Sequence, residues 1–136
     1  MRKRVIMCAL AAFAAVAMFA PRVEAANRFA MTCIENKTDI TLKYRTQWGN
    51  GQWEHWSVNP GARNWHTWKY DRPNENASPV LHVSFDGDLS SRMYNQQYKL
   101  ESYASPQQGD CERYGKIYRF RYDGSARKYI DLRRVD

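Results

Sequence analysis

Residues 53–68 read WEHWSVNPGARNWHTW, two Trp-x-x-Trp units that each enclose a histidine and flank an Asn-Pro-Gly-Ala turn signal. Indoles on an open sheet face stack on the apolar faces of sugars, while neighbouring charged and amide groups bond hydroxyls or acidic substituents. Histidines directly opposed on paired strands could instead share a metal ion. A histidine with a matched partner in a cleft, or a pair of carboxylates, could carry hydrolytic chemistry.

Metal binding is the least supported of these. Two opposed imidazoles, His55 and His66, fall short of the three or four protein ligands of a zinc site. His82 belongs to a separate run whose inward phase is Leu81, Val83 and Phe85. Neutral histidines bonded to each other, to Thr46 or to Ser57 are expected. Asp86-Gly87-Asp88-Leu89-Ser90 begins like a calcium loop, but Ser91 and Gln97 stand where an EF-hand loop has Gly and Glu, so a plain Asp-Gly turn explains it. The sequence has no nucleophile elbow, zinc-protease helix, redox Cys-x-x-Cys or phosphate-cradling glycine loop. A chain with no enzymatic activity, cofactor or metal is expected, with a small hydrolase the least favoured function.

These residues are positioned by short alternating runs, rich in aromatic and β-branched residues, between Gly, Pro, Asn and Asp clusters. That pattern predicts an all-β domain, an antiparallel β-sandwich or small barrel of about eight short strands. The runs are 28–34, 40–48, 52–58, 63–70, 79–85, 93–103, 115–122 and 128–134.

A two-residue turn at Asn50-Gly51 pairs Trp48 with Trp53, Thr46 with His55 and Arg45 with Trp56. A four-residue loop from Asn59 to Ala62 then pairs Trp56 with Trp65, His55 with His66 and Trp53 with Trp68, giving a three-stranded meander. Alternation along each strand sends Ile40, Leu42, Tyr44, Thr46, Trp48, Trp53, His55, Ser57, His66, Trp68 and Tyr70 to the core. The opposite face is polar and basic except for Trp56, Val58 and Trp65 in its middle, and the two tryptophans are framed by Arg45, Arg63, Lys69 and Glu54. Those six residues form the expected ligand site. Near the C-terminus, a three-residue loop at Gly124-Ser125-Ala126 pairs Phe120 with Ile130, Tyr118 with Leu132 and Arg119 with Asp131. Leu81, Val83, Phe85, Tyr94, Tyr98 and Leu100 supply further inward positions.

Arg2, Lys3 and Arg4 precede an apolar run from Val5 to Ala20 and a helix-breaking Pro21. That run is too short for a spanning helix and reads as a signal peptide of bacterial type, cleaved after Ala25. Removing 25 of the 136 residues leaves 111, a single domain from residue 26 to 136. Only Cys33 and Cys111 survive cleavage, and an even count in an exported chain predicts one disulfide.

The leader carries a net +3 of the formal +7, so the domain itself is about +4. That mild excess does not point to nucleic acid and favours anionic partners. The expected function is an exported, periplasmic or secreted binding module with no stable membrane anchor. Its aromatic and basic face would engage a glycan, an anionic envelope surface or an acidic protein. The alternative is a protein interaction module, such as an inhibitor, effector or envelope-complex subunit, with the tryptophans and the loop from Asp71 to Ser78 as its hot spot.

Overall fold

The computed structural model describes residues 26–72, 74–89, 94–125 and 127–135; the expected leader lies outside them. Two sheets face one another. The five-stranded sheet holds β1 (Phe29–Asn36), β4 (Arg63–Lys69), β8 (Lys116–Tyr122) and β9 (Ile130–Val135) in the order β4-β1-β8-β9, with β7 (Tyr103–Ser105) also paired to β1. The four-stranded sheet has the order β3-β2-β5-β6, formed by β2 (Leu42–Trp48), β3 (Glu54–Val58), β5 (Leu81–Phe85) and β6 (Gln96–Leu100). The result is the expected all-β sandwich. Its one parallel pair among the described strands joins β1 to β8.

Between the sheets lie Ile34, Leu42, Tyr44, Val58, Leu81, Val83, Phe85, Leu100, Tyr118, Phe120, Ile130 and Leu132. β2, β5, β8 and β9 contribute alternate residues, as the pleat requires. Tyr44, Phe85 and Phe120 form the aromatic centre, with ring centroids 5.1–5.6 Å from Phe120. Burying each such ring is worth about 2–3 kcal/mol.

A smaller cluster sits on the outer side of the five-stranded sheet, where Met31 and Cys33 meet Cys111, Tyr114 and Ile117. Helix α1 (Cys111–Tyr114) is fastened there by the expected Cys33–Cys111 disulfide, with Cα atoms 6.1 Å apart. Gly115 makes that approach possible, because a Cβ at this position would lie 2.6 Å from Cys33 Sγ. Asp110 caps the helix by accepting from the Arg113 N–H.

Three pairings differ from the sequence reading. First, the β2–β3 turn centres on Gly49-Asn50: Gly51 N–H donates to the Trp48 carbonyl at 3.0 Å, and Gly49 has φ 57°. Arg45 therefore opposes His55 and Tyr44 opposes Trp56, one residue away from the expected register. A one-residue slip exchanges the two faces of a strand. Trp56 and Val58 accordingly turn inward, and His55 and Ser57 are exposed.

Second, β3 and β4 belong to different sheets, so the three-stranded meander does not form. The corner from Asn59 to Ala62 is bound instead to the end of β1, with Gly61 N–H donating to the Asn36 carbonyl and Asn36 N–H to the Ala62 carbonyl. The buried Asn36 amide secures the same corner by donating to the Val58 and Ile40 carbonyls. From there β4 runs antiparallel to β1.

Third, the C-terminal hairpin pairs Phe120 with Leu132 and Arg121 with Asp131, two residues from the expected register. Its loop is longer than expected, closing where Asp123 N–H donates to the Tyr129 carbonyl. A shift of two preserves the faces, and Tyr118, Phe120, Ile130 and Leu132 are buried as read.

Candidate functional site

The six residues of the expected site are divided between two sheets. Trp56 points inward, donating from Nε1 to Thr46 Oγ1 at 2.9 Å and packing edge-on to His66 at 4.7 Å. Trp65 points outward from the five-stranded sheet, is 44% exposed, and has Gly109 against its indole. Arg63 and Lys69 share that outer face by strand alternation. Glu54 is exposed on β3. Arg45 is the member of the set on the outer face of the four-stranded sheet. Trp56 and Trp65 therefore do not form a common platform.

The two outer faces differ in how their charges are matched. On the five-stranded sheet, Glu35 is opposed by Arg63 on one side and Arg119 on the other. Both bond its carboxylate, at 2.8 and 2.5 Å, and Arg63 reaches on to Glu112 at 2.7 Å. Burial pushes the Glu35 carboxyl up, but these two guanidinium bonds outweigh it and hold the group below its ordinary value. Arg133 is likewise paired with Asp131 at 2.6 Å. On this face Arg63, Arg119 and Arg133 each have a carboxylate partner.

On the four-stranded sheet, β2 turns Lys43, Arg45 and Gln47 outward. The register sets His55 and Ser84 beside Arg45, and places His82 and Lys99 on the row of Gln47. The Arg45 guanidinium carbon lies 4.4 Å from the Trp53 ring centroid and 4.8 Å from that of Tyr94. Tyr94 is itself fixed by its hydroxyl, 3.2 Å from His55 Nδ1. Arg45 Nε is buried with no hydrogen-bond partner. Among the described residues no ion pair joins Lys43, Arg45 or Lys99 to a carboxylate. A stacked guanidinium retains its donors in the ring plane, and such a fork matches carboxylate, sulfate or phosphate oxygens.

Trp53 and Tyr94 were both expected in the core, so the sequence reading missed the aromatic half of this site. Val58 was the available signal: it is the aliphatic residue of β3, and turning it inward sends Trp53 and His55 outward.

The remaining tryptophans, Trp48 at the end of β2 and Trp68 on β4, pack across the two sheets with centroids 6.1 Å apart. Trp68 is 38% exposed.

The expected His55–His66 pair does not occur. His66 is interior, its Nε2 2.7 Å from the Tyr44 hydroxyl, which also accepts from Asn64 Nδ2. Burial lowers its pKa to about 4, so the ring is neutral near pH 7. Among the described residues, no group of three His, Cys, Asp or Glu side chains is placed to hold a metal.

No protein-family model, curated protein or solved structure matches the chain. Among the described residues no helix is long and apolar enough to cross a membrane.

Proposed function

We propose that this protein is an exported binding module that takes an anionic glycan on the outer face of its four-stranded sheet and performs no covalent chemistry. Arg45 carries the reading: it is held against two aromatic rings, and among the described residues no carboxylate pairs with it. Lys43 and Lys99 extend the positive face on either side. Trp53 and Tyr94 supply rings on which a sugar can lie, while the exposed Gln97 and the half-buried Gln47 supply amide groups for hydroxyls. Trp65, Arg63 and Lys69, expected to act at the same site, have no role in it, since they occupy the other sheet.

The disulfide suits the oxidising surroundings of an exported protein, as does the leader read in residues 1–25. The test is to titrate the purified protein with sulfated, uronate-containing and neutral oligosaccharides of equal length while following tryptophan fluorescence. Saturable binding of the acidic oligosaccharides, lost in Arg45→Gln, is the expected result. Equal response to the neutral set, or an unchanged Arg45→Gln titration, would refute the reading.

A protein partner is the second reading, favoured by the exposed Trp65 on the opposite sheet. An exposed indole beside arginine is the composition of a protein–protein hot spot. In that case Trp65→Ala, and not Arg45→Gln, would abolish binding to the purified partner.

A further inference from the structure

We infer that the ligand of the Arg45 face is an anionic amphiphile, an acidic sugar headgroup joined to an apolar chain, with the chain seated in the cleft beside Tyr94. The inference rests on the proposed glycan site and names the class of molecule that would fill it.

A cleft of about 420 Å³ opens at the end of the four-stranded sheet, and Tyr94 lines both this cleft and the Arg45 site. Ile40, Leu42 and Leu89 supply apolar walls, and Lys43 stands at the cleft two residues from Arg45 on the same face of β2. Among the described residues the carboxylate that reaches this space, Asp86, is engaged by its own turn, with Oδ1 accepting from the Asp88 N–H. Leu89 has φ 59°, a left-handed conformation unfavourable for leucine, and its side chain lies partly buried against the core.

A free monosaccharide would leave these aliphatic walls in water. A chain continuing from a headgroup held by Arg45 and Lys43 would cover them, and hydrocarbon burial is favourable in proportion to the area removed from water. Charge complementarity fixes the orientation, headgroup toward Arg45 and chain toward Leu89.

The experiment compares methyl glucuronide, octyl glucuronide and neutral octyl glucoside by calorimetric titration of the purified protein, below the micelle concentration of each. Octyl glucuronide is expected to bind roughly tenfold or more tighter than methyl glucuronide, with octyl glucoside far weaker. Ile40→Gln and Leu89→Asn should remove most of the octyl gain and leave methyl glucuronide unchanged; asparagine suits the left-handed backbone at 89, and the exposed Ile40 gives a variant that does not disturb the core packing of Leu89. Equal affinity for the two glucuronides, or an octyl gain unaffected by both substitutions, would overturn the inference while leaving the glycan site standing. Octyl glucoside binding as tightly as octyl glucuronide, or neither glucuronide binding, would overturn the glycan site and the inference together.

Discussion

Arg45 and His55 are directly opposed across the β2–β3 ladder, and Tyr94 closes over both, its ring 4.8 Å from the guanidinium carbon and its hydroxyl 3.2 Å from the imidazole. A cation, an imidazole and an aromatic plate are thereby gathered at one point of an otherwise polar sheet face. That point comes from the Gly49 turn, which places the outward phase of β3 beside that of β2.

Arg45→Lys separates charge from shape. Lysine keeps the positive charge and loses the planar fork and the stacking surface. Affinity for an acidic oligosaccharide should fall about tenfold, the loss of roughly one charge-assisted hydrogen bond. Stability should fall by no more than about 2 kcal/mol, because the two partly exposed cation–π contacts are worth up to about 1 kcal/mol each and the desolvated Nε opposes them. Calorimetric titration and urea unfolding measure the two quantities.

Binding at this face should weaken as salt rises. Lys43 is exposed and Arg45 half-buried, and the screening length falls from about 14 Å near 0.05 M to about 4 Å near 0.5 M salt. A titration series at fixed pH should show affinity dropping steadily across that range. The ligand-free unfolding midpoint should move far less.

His66 links stability to pH. Its ordinary value is 6.5, and the folded value is lowered to about 4 by burial. The unfolded chain therefore binds the proton more readily between those values. Stability is full above about pH 6.5 and declines toward pH 4, by up to roughly 3 kcal/mol. His66→Gln should flatten that decline, whatever it costs in packing. Glu35 acts lower down: its folded value lies below 4.5, so its contribution is present above 4.5 and is lost as the pH falls through the folded value. Urea unfolding at a series of pH values resolves both.

The disulfide closes a sequence separation of 78 residues. Constraint of the unfolded chain predicts a loss of about 4–5 kcal/mol on replacing both cysteines by alanine. Gly115→Ala should also destabilise, because its added methyl would strike Cys33 Sγ. Denaturant unfolding under non-reducing conditions tests both.

Most strand positions and the core faces of β2, β5, β8 and β9 were legible in the sequence, because aliphatic and aromatic residues alternate there with polar ones. The C-terminal register slipped by two residues and kept its faces, since a slip by an even number leaves side-chain direction unchanged. The candidate site was less legible. Trp48-Gly49-Asn50-Gly51 has glycine on both sides of Asn50, so two turn placements one residue apart are open to it. The choice decides whether Trp53 or Trp56 faces solvent. The NPGA corner is likewise compatible with a hairpin or with a crossing between sheets, and the partner that decides, the backbone of Asn36, lies more than twenty residues earlier in the chain. Tyr94 reaches Arg45 only through the β2–β5–β6 arrangement, which local patterning does not contain.

The most direct test of the glycan site is a nitrogen-15 spectrum of the protein titrated with an acidic oligosaccharide, following the indole N–H of each tryptophan and the Nε–H of each arginine. Trp53 and Arg45 should shift together and saturate at one concentration, while Trp65 and Arg63 stay in place. Shifts confined to Trp65 and Arg63, or no shift at Arg45 under saturating ligand, would contradict the assignment of this face as the binding surface.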